Sequence, residues 1–484
     1  MKSEYSLFQG LSNYSDKIAL RDLDGNAVSY LDLANFADKL KTQFAEIAPL
    51  EDSNVNKRAL TILVCRNDIS SISLYIALIR NHLPVMLLHE SISDDFLSSI
   101  IHRFKPGYVL TTKESQHKPN NLRDQGEIYN HRILAPKDQT VTDIHPELAL
   151  LLTTSGSTGS TKFVRLSYKN LHTNTVDIST GLGVENEHNT ITTMPMSYTY
   201  GLSIINTHVF NGGTILASDA SIVSKEFFNA LEDFKISSFG GVPFTYETLI
   251  KLKFWKKLPE SVEYLTQAGG KLKEKAFKSI VEQCGERDIR FFSMYGQTEA
   301  TARMSILDHA LSEEKSGSIG KPIGSGRFLL LNEQEEAIYA ANQKGTLYYI
   351  GDNACLGYAE NHQDLAKPDA NQGCLNTGDI AYYDEDGFYY IVGREKRFVK
   401  VNGHRVSLDE IETLLSSMGL ESAVLGEDDN IKIFVADENA QQAQLKELSQ
   451  ATKIPSRVFS LKTQDHIPRL KSGKVDYKAL ASVP

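Results

Sequence analysis

Residues 153–162 read Thr-Thr-Ser-Gly-Ser-Thr-Gly-Ser-Thr-Lys, and what flanks them decides the fold. Residues 148–152 form a short apolar run, the pattern of a buried strand. Beyond Ser167, Leu171 and Val176 fall at helical spacing. The pattern predicts a loop of hydroxyls and glycines between a strand and a helix. Gly156 and Gly159 permit positive φ and let backbone approach a ligand closely. Successive N–H groups in such a loop make an anion-binding concavity. Thr154, Ser155, Ser157 and Thr158 add donors, and Lys162 adds a point charge suited to a phosphate. The bland alternative is a flexible polar loop. A P-loop kinase or GTPase is disfavoured, because the spacing of Gly156, Gly159 and Lys162 is not that of the Walker A motif.

Bulk properties narrow the class. At 484 residues, two or more domains are expected. Apolar residues are 41% and charged residues 23%, the balance of a soluble globular protein. Net charge is −10 with no long basic tract, so a nucleic-acid partner is not expected. Residues 1–20 are polar and mixed in charge, without the apolar core of a signal peptide. No apolar run approaches the roughly 18 residues that span a bilayer. Cys65, Cys284, Cys355 and Cys374 are scattered, with no C-x-x-C and no H-E-x-x-H. Neither a disulfide scaffold nor a zinc site is supported, and the expectation is a reduced, cytoplasmic protein.

Strand-like runs at 59–65, 83–88, 108–112 and 148–152 alternate with helical segments. That alternation predicts an α/β fold with largely parallel sheets, in which ligands bind beyond the carboxyl ends of strands. Further strands at 190–194, 213–217, 238–243, 264–270 and 289–295 mostly finish in small or polar residues, and would share one crevice. Past residue 320 the texture changes. Residues 345–351 and 381–391 read as antiparallel strands, with Asp386-Gly387 as a hairpin turn. A helix starts at Ser407, which has capping-box spacing to Glu410.

Other segments fall in a telling order. They are Gly269-Gly270-Lys271-Leu272, Tyr295-Gly-Gln-Thr298-Glu299, Thr377-Gly-Asp379, Gly393-Arg394-Glu-Lys396 followed by Lys400, Gly403, Arg405 and Ile411-Glu412, and Pro468-Arg-Leu-Lys-Ser-Gly-Lys474. Taken singly, Glu299 reads as a surface charge, Asp379 as a turn residue and Lys474 as a tail lysine. Together with the 153–162 loop they resemble the adenylate-forming ligases: acyl-CoA synthetases, adenylation domains of peptide synthesis and beetle luciferases. The sequence departs from that family's pattern at Thr161, where Pro is usual, and at Thr346, where Glu is common.

The resemblance implies a large N-terminal adenylation domain, 1–393, with mixed, largely parallel sheets, helices and a small barrel-like region. It implies a small, mobile α+β lid, 394–484. It implies ATP and Mg²⁺ as cofactors and a carboxylic acid as substrate. The acceptor would be coenzyme A or a carrier-protein phosphopantetheine. By the same resemblance, the 154–159 loop, Lys162, Gly269, Tyr295, Asp379 and Arg394 bind nucleotide, and Lys396 is the hinge. Glu299 would hold Mg²⁺, which takes hard oxygen ligands, and Thr298 would donate to the α-phosphate. Lys474 would be catalytic: a carboxylate attacking a phosphate brings two anions together, and a fixed cation lowers that barrier.

The acid pocket would involve Tyr198, Thr199, Gly240 and Gly241. Thr199 stands where amino-acid adenylation domains carry an Asp, and a buried ammonium without a carboxylate is costly. An α-amino acid is therefore disfavoured against a fatty, aryl or short acid. Gly240 and Gly241, lacking side chains, lead one to expect a roomy pocket. A stand-alone amino-acid-activating enzyme, a luciferase-like oxidative enzyme and a non-catalytic nucleotide-binding homologue stay open as alternatives.

Overall fold

The computed structural model describes residues 5, 7–47, 59–114, 122–136, 142–153, 162–401, 404–436, 442–470 and 474–482. Continuous apolar runs become strands buried on both faces, as parallel sheets require. Thr61–Cys65, Val85–His89, Tyr108–Thr112 and Leu148–Thr153 form the parallel centre of an eight-stranded sheet. The helices between them start at side-chain caps: Asp68 for Ile69–Arg80 and Ser93 for Asp94–Phe104. A second sheet has nine strands. Its Ile18–Arg21, Thr214–Leu216, Asn189–Ile191, Ser238–Gly241, Tyr264–Gln267 and Arg290–Tyr295 run parallel. After Tyr295 the chain turns back as Ser305–Leu307, antiparallel to Arg290–Tyr295.

One expectation fails beside the opening stretch. Residues 154–161 lie outside the described residues, but their flanks are clear. Leu148–Thr153 connects to an antiparallel strand, Phe163–Ser167, and only then to the helix Tyr168–Leu182, capped by Ser167. The loop therefore joins two strands, not a strand and a helix. Arg165 hid this strand, since a charge amid Phe163, Val164 and Leu166 reads as surface. Here Arg165 is buried and donates to the carbonyls of Asp364 (2.9 Å), Lys367 (2.6 Å) and Pro368 (3.1 Å). Those acceptors lie some two hundred positions away, beyond any local pattern.

Arg327–Leu331, Gly345–Ile350, Cys374–Tyr383 and Tyr389–Arg394 form a four-stranded antiparallel sheet. It stands where a barrel-like region was expected. The Asp386-Gly387 turn closes it, with Gly387 N–H on the Asp384 carbonyl (3.0 Å). The last segment opens with a ribbon, Phe398–Val401 with His404–Ser407. The helix Leu408–Ser417 follows, Ser407 Oγ accepting from the Glu410 N–H at 3.2 Å. Ser422–Glu427, Asn430–Val435 and Phe459–Thr463 complete a three-stranded sheet. Its apolar core, which includes Val399, Leu408, Ile411, Ile431 and Leu448, draws only on residues from Val399 onward.

Candidate active site

Asp379 and Arg394 face each other across the register of Cys374–Tyr383 and Tyr389–Arg394. The strand carrying Asp379 bulges at Thr377-Gly-Asp. Thr346 pairs with Ile380 and Tyr348 with Asn376, leaving three residues opposite one. Gly378 takes φ +72°, open to glycine without strain. Thr377 Oγ1 donates to the Leu347 carbonyl (2.7 Å) and accepts from the Asp379 N–H (3.1 Å), holding the bulge. Asp379 is thereby buried, with Arg394 Nε 3.1 Å from Oδ1 and the Tyr295 hydroxyl donating to Oδ2. Burial raises the Asp379 carboxyl, while Arg394 and the Tyr295 hydroxyl pull it back down. The same pairing raises the Arg394 guanidinium.

Glu299 arrives from another direction. It lies in the short turn Thr298–Ala300, with Thr298 buried beside it. The Tyr358 hydroxyl donates to Glu299 Oε1 at 2.8 Å. The short strand Tyr358–Ala359 pairs with Phe163–Val164, so it borders the end of the hydroxyl-rich loop. Lys162 pairs there with Glu360 at 3.1 Å. Thr154, Ser155, Gly156, Ser157, Thr158 and Gly159 lie outside the described residues, but Thr153 and Lys162 at the loop's ends do not. The glycine of Tyr295-Gly-Gln-Thr-Glu has a steric purpose. A Cβ on Gly296 would overlap the Ala302 carbonyl and lie 2.8 Å from the Arg303 Cα. The chain can double back tightly after Glu299 only because that position is bare.

Lys474 completes the group. Antiparallel contacts carry it: Leu470 N–H on the Lys474 carbonyl (2.8 Å), Asp476 N–H on the Pro468 carbonyl (2.8 Å) and a bridge of Arg469 with Val475. Arg469 pairs with Glu421 at 2.8 Å and lies over the ring of Phe244, an aromatic of the large N-terminal region. Burial pushes the Lys474 ammonium down to about 8, and the Arg394 guanidinium adds to that. Asp379 and Glu299 pull it upward. Lys474, Arg394, Asp379 and Glu299 thus share one electrostatic neighbourhood. Lys396 lies in the turn Glu395–Arg397, directly after Arg394. Gly403 is outside the described residues.

The acid-pocket expectations need correction. The Tyr198 hydroxyl does abut Gly269, where a Cβ would come within 2.8 Å of it. Burial pushes that phenol up to about 12. Gly240 and Gly241, however, do not open a roomy pocket. A Cβ on Gly240 would meet Ile204 Cδ1 and the Tyr200 hydroxyl at 2.8 Å, and one on Gly241 would meet Thr245 Cγ2 at 2.8 Å. The missing side chains are filled by neighbours. Thr199 is buried and its hydroxyl donates to the Thr301 carbonyl, which turns it into the protein. Tyr358 and Arg303 were missed in the sequence. Arg303 stands just beyond the Tyr-Gly-Gln-Thr-Glu motif, where a charge inside an otherwise small and apolar run was the available signal.

Comparison with known proteins agrees with this fold. Over 477 residues the chain is 24% identical to the oxalate–CoA ligase of Arabidopsis thaliana, covering 89% of this chain and 90% of that enzyme. It is 26% identical over 339 residues to the 2-succinylbenzoate–CoA ligase of Bacillus subtilis, covering 68% and 67%. The match to the probable CoA ligase CCL5 of Humulus lupulus, 28% identical, spans 56% of this chain and only half (50%) of that protein's length. Among solved structures, the o-succinylbenzoate CoA synthetase of Bacillus subtilis in complex with its acyl-adenylate intermediate superposes with a TM-score of 0.78. That superposition has 18% identity and covers 100% of this chain and 99% of that one. The α/β architecture of the two is the same. A family model described as AMP-binding enzyme matches residues 7–359, most of the chain, and the chain belongs to that family.

Proposed function

We propose that this chain is an AMP-forming acid–thiol ligase. In the first half-reaction a carboxylate oxygen attacks the α-phosphorus of ATP and the bond to the bridging oxygen breaks. Acyl-AMP and pyrophosphate result. In the second, a thiol sulfur attacks the acyl carbon, AMP leaves, and a thioester remains. The observation that carries this reading is the convergence of Lys474, Arg394, Asp379 and Glu299. They come from segments far apart in the chain, and a protein that merely bound nucleotide would not need a terminal lysine there.

The residues divide the work. Asp379, an acceptor oriented by Tyr295 and Arg394, suits the paired hydroxyls of a ribose. Residues 154–159 and Lys162 would surround the outer phosphates, with Gly269 beside the base. Glu299 offers a half-buried carboxylate with one oxygen on Tyr358, a hard-oxygen donor that fits Mg²⁺. Bound there, the ion would neutralise phosphate charge. Thr298 would donate to the α-phosphate, and Lys474 would supply the cation that the attack requires. Residues 394–484 would act as a lid turning about Lys396, taking Lys474 away before the thiol enters. The large adenylation domain would be 1–393.

The relatives' names favour coenzyme A as the acceptor, with a carrier-protein phosphopantetheine as the second arm of the test. The four cysteines carry free thiols, which suits a reducing cytoplasm. Among the described residues no helix is long and apolar enough to cross a membrane. Acid-dependent ATP–pyrophosphate exchange tests the first half-reaction. Thioester formation with coenzyme A or a pantetheinylated carrier tests the second. Nucleotide binding with no exchange for any acid would reject the ligase reading in favour of a non-catalytic nucleotide binder.

A further inference from the structure

A buried charge beside Tyr200 and Gly240 bears on which acid is activated. Arg303 is among the largest fully buried side chains of the protein, at 1% exposure. It follows the turn at Thr301 (φ 65°) and precedes the strand Ser305–Leu307. Its guanidinium carbon lies 5.0 Å from the centroid of the Tyr200 ring. Its Nε and Nη1 have no hydrogen-bond partner among the described residues. No described carboxylate faces it, and the groups acting on its charge are the Tyr200 and Tyr264 hydroxyls.

The neighbours are polar but neutral. Arg303 shares a cavity of about 10 Å³ with His208, Ser238, Gly240, Tyr264 and Thr266. The Tyr200 hydroxyl and Thr266 Oγ1 are 2.8 Å apart, and both press on the bare Gly240. His208 Nδ1 donates to the Ile204 carbonyl at 2.8 Å. Its Nε2 then accepts from Tyr264 (3.2 Å) or Ser238 (3.3 Å). Burial pushes His208 down to about 3, so it stays neutral. Burial lowers Arg303 as well, but a guanidinium keeps its proton in a protein. The site therefore holds one positive charge without its negative counterpart, an arrangement that buried charges otherwise avoid.

The location makes the charge informative. The strand Tyr264–Gln267, which supplies Thr266, runs on to Gly269, where the Tyr198 hydroxyl sits. Tyr200, over whose ring Arg303 lies, clusters with Val242 and Ala268, and Tyr198 packs against that cluster. The chain segment of Arg303 carries Thr298 and Glu299 a few residues earlier. The cavity as it stands admits a water-sized group. Two guanidinium nitrogens without a hydrogen-bond partner among the described residues are donors suited to an anion's oxygens.

We propose that the acid activated here is a dicarboxylate, its second carboxylate seated on Arg303 while its first is directed toward Thr298 and Lys474. This rests on the ligase reading and adds the substrate class to it. The second carboxylate takes no part in bond making. It supplies the counter-charge and orients the first.

Matched pairs of acids test this on the full-length protein by ATP–pyrophosphate exchange. Each diacid is compared with the monoacid in which methyl replaces the distal carboxylate, and with the corresponding half-amide. We expect kcat/KM to favour diacids by roughly 10⁴-fold, the scale on which a site built for a polar group rejects an analogue lacking it. Arg303→Met should remove most of that preference, while Arg303→Lys restores part of it. Monoacids exchanging as well as their diacid partners in the unaltered protein would overturn the inference and leave the ligase reading intact. That comparison needs no variant to fold. Exchange with no acid of either kind would instead reject the ligase reading on which it rests. Arg303→Met with an unchanged diacid preference would make Arg303 a structural cation held by ring stacking, and would overturn the proposal.

Discussion

Replacing Lys474 with Ala should separate the two half-reactions. Removing one preorganised electrostatic contact from a reacting phosphate costs about 10²–10³-fold in rate. That loss should fall on adenylation, because there the attacking carboxylate and the α-phosphate crowd negative charge together. Thioester formation from supplied acyl-AMP should largely survive. The pH dependence gives a sharper check. The active form is the ammonium, and its pKa is depressed to about 8. Charge is therefore present below that value and lost as pH rises through it. In kcat/KM for ATP, a free-enzyme quantity, adenylation should fall about tenfold per pH unit above the break. Bound phosphates favour the ammonium, so the break in kcat should lie at higher pH. The groups facing Lys474 set opposite signs. Asp379→Asn removes a carboxylate that raises it and should move the break down. Arg394→Ala removes a guanidinium that lowers it and should move the break up. Pyrophosphate exchange between about pH 6 and 10 measures all of these. The reasoning fails if Lys474→Ala keeps the alkaline limb, if both half-reactions lose equally, or if the Asp379 and Arg394 variants shift the break the same way.

Other variants probe the frame around that lysine. Tyr295→Phe removes a donor to the buried Asp379 carboxylate, a bond worth about 1.5–3 kcal/mol. It should weaken ATP and AMP binding by roughly ten- to hundredfold in calorimetry, and unaltered affinity would argue against Asp379 as a nucleotide contact. Gly296→Ala places a methyl on the Ala302 carbonyl and should cost about 2–4 kcal/mol in urea melts. A melt like that of the unaltered protein would mean the return strand can retreat. Arg165→Met strips a donor from the carbonyls of Asp364, Lys367 and Pro368 and should destabilise by about 3 kcal/mol, with exchange kinetics near normal in whatever protein stays folded.

The amino-acid sequence by itself determined the architecture and the motifs on which the proposed chemistry rests. Parallel strands buried on both faces need unbroken apolar runs, so Thr61–Cys65 and Leu148–Thr153 could be read directly. Short motifs were legible for a related reason: a carboxylate held by a bulge or a bare position beneath a returning strand must sit at fixed local spacing, as in Thr377-Gly-Asp379 and Tyr295-Gly296. Only the tertiary structure decided what compensates each group. It made Arg165 an interior residue of a strand by bringing three carbonyls to it. It filled the space beside Gly240 with Ile204 and Tyr200, and left Arg303 Nε and Nη1 without a hydrogen-bond partner among the described residues. It set Lys474 beside Asp379, Arg394 and Glu299. Local sequence carries propensity and spacing, whereas the cost of a buried charge or an empty volume depends on which distant segments the folded chain brings beside it.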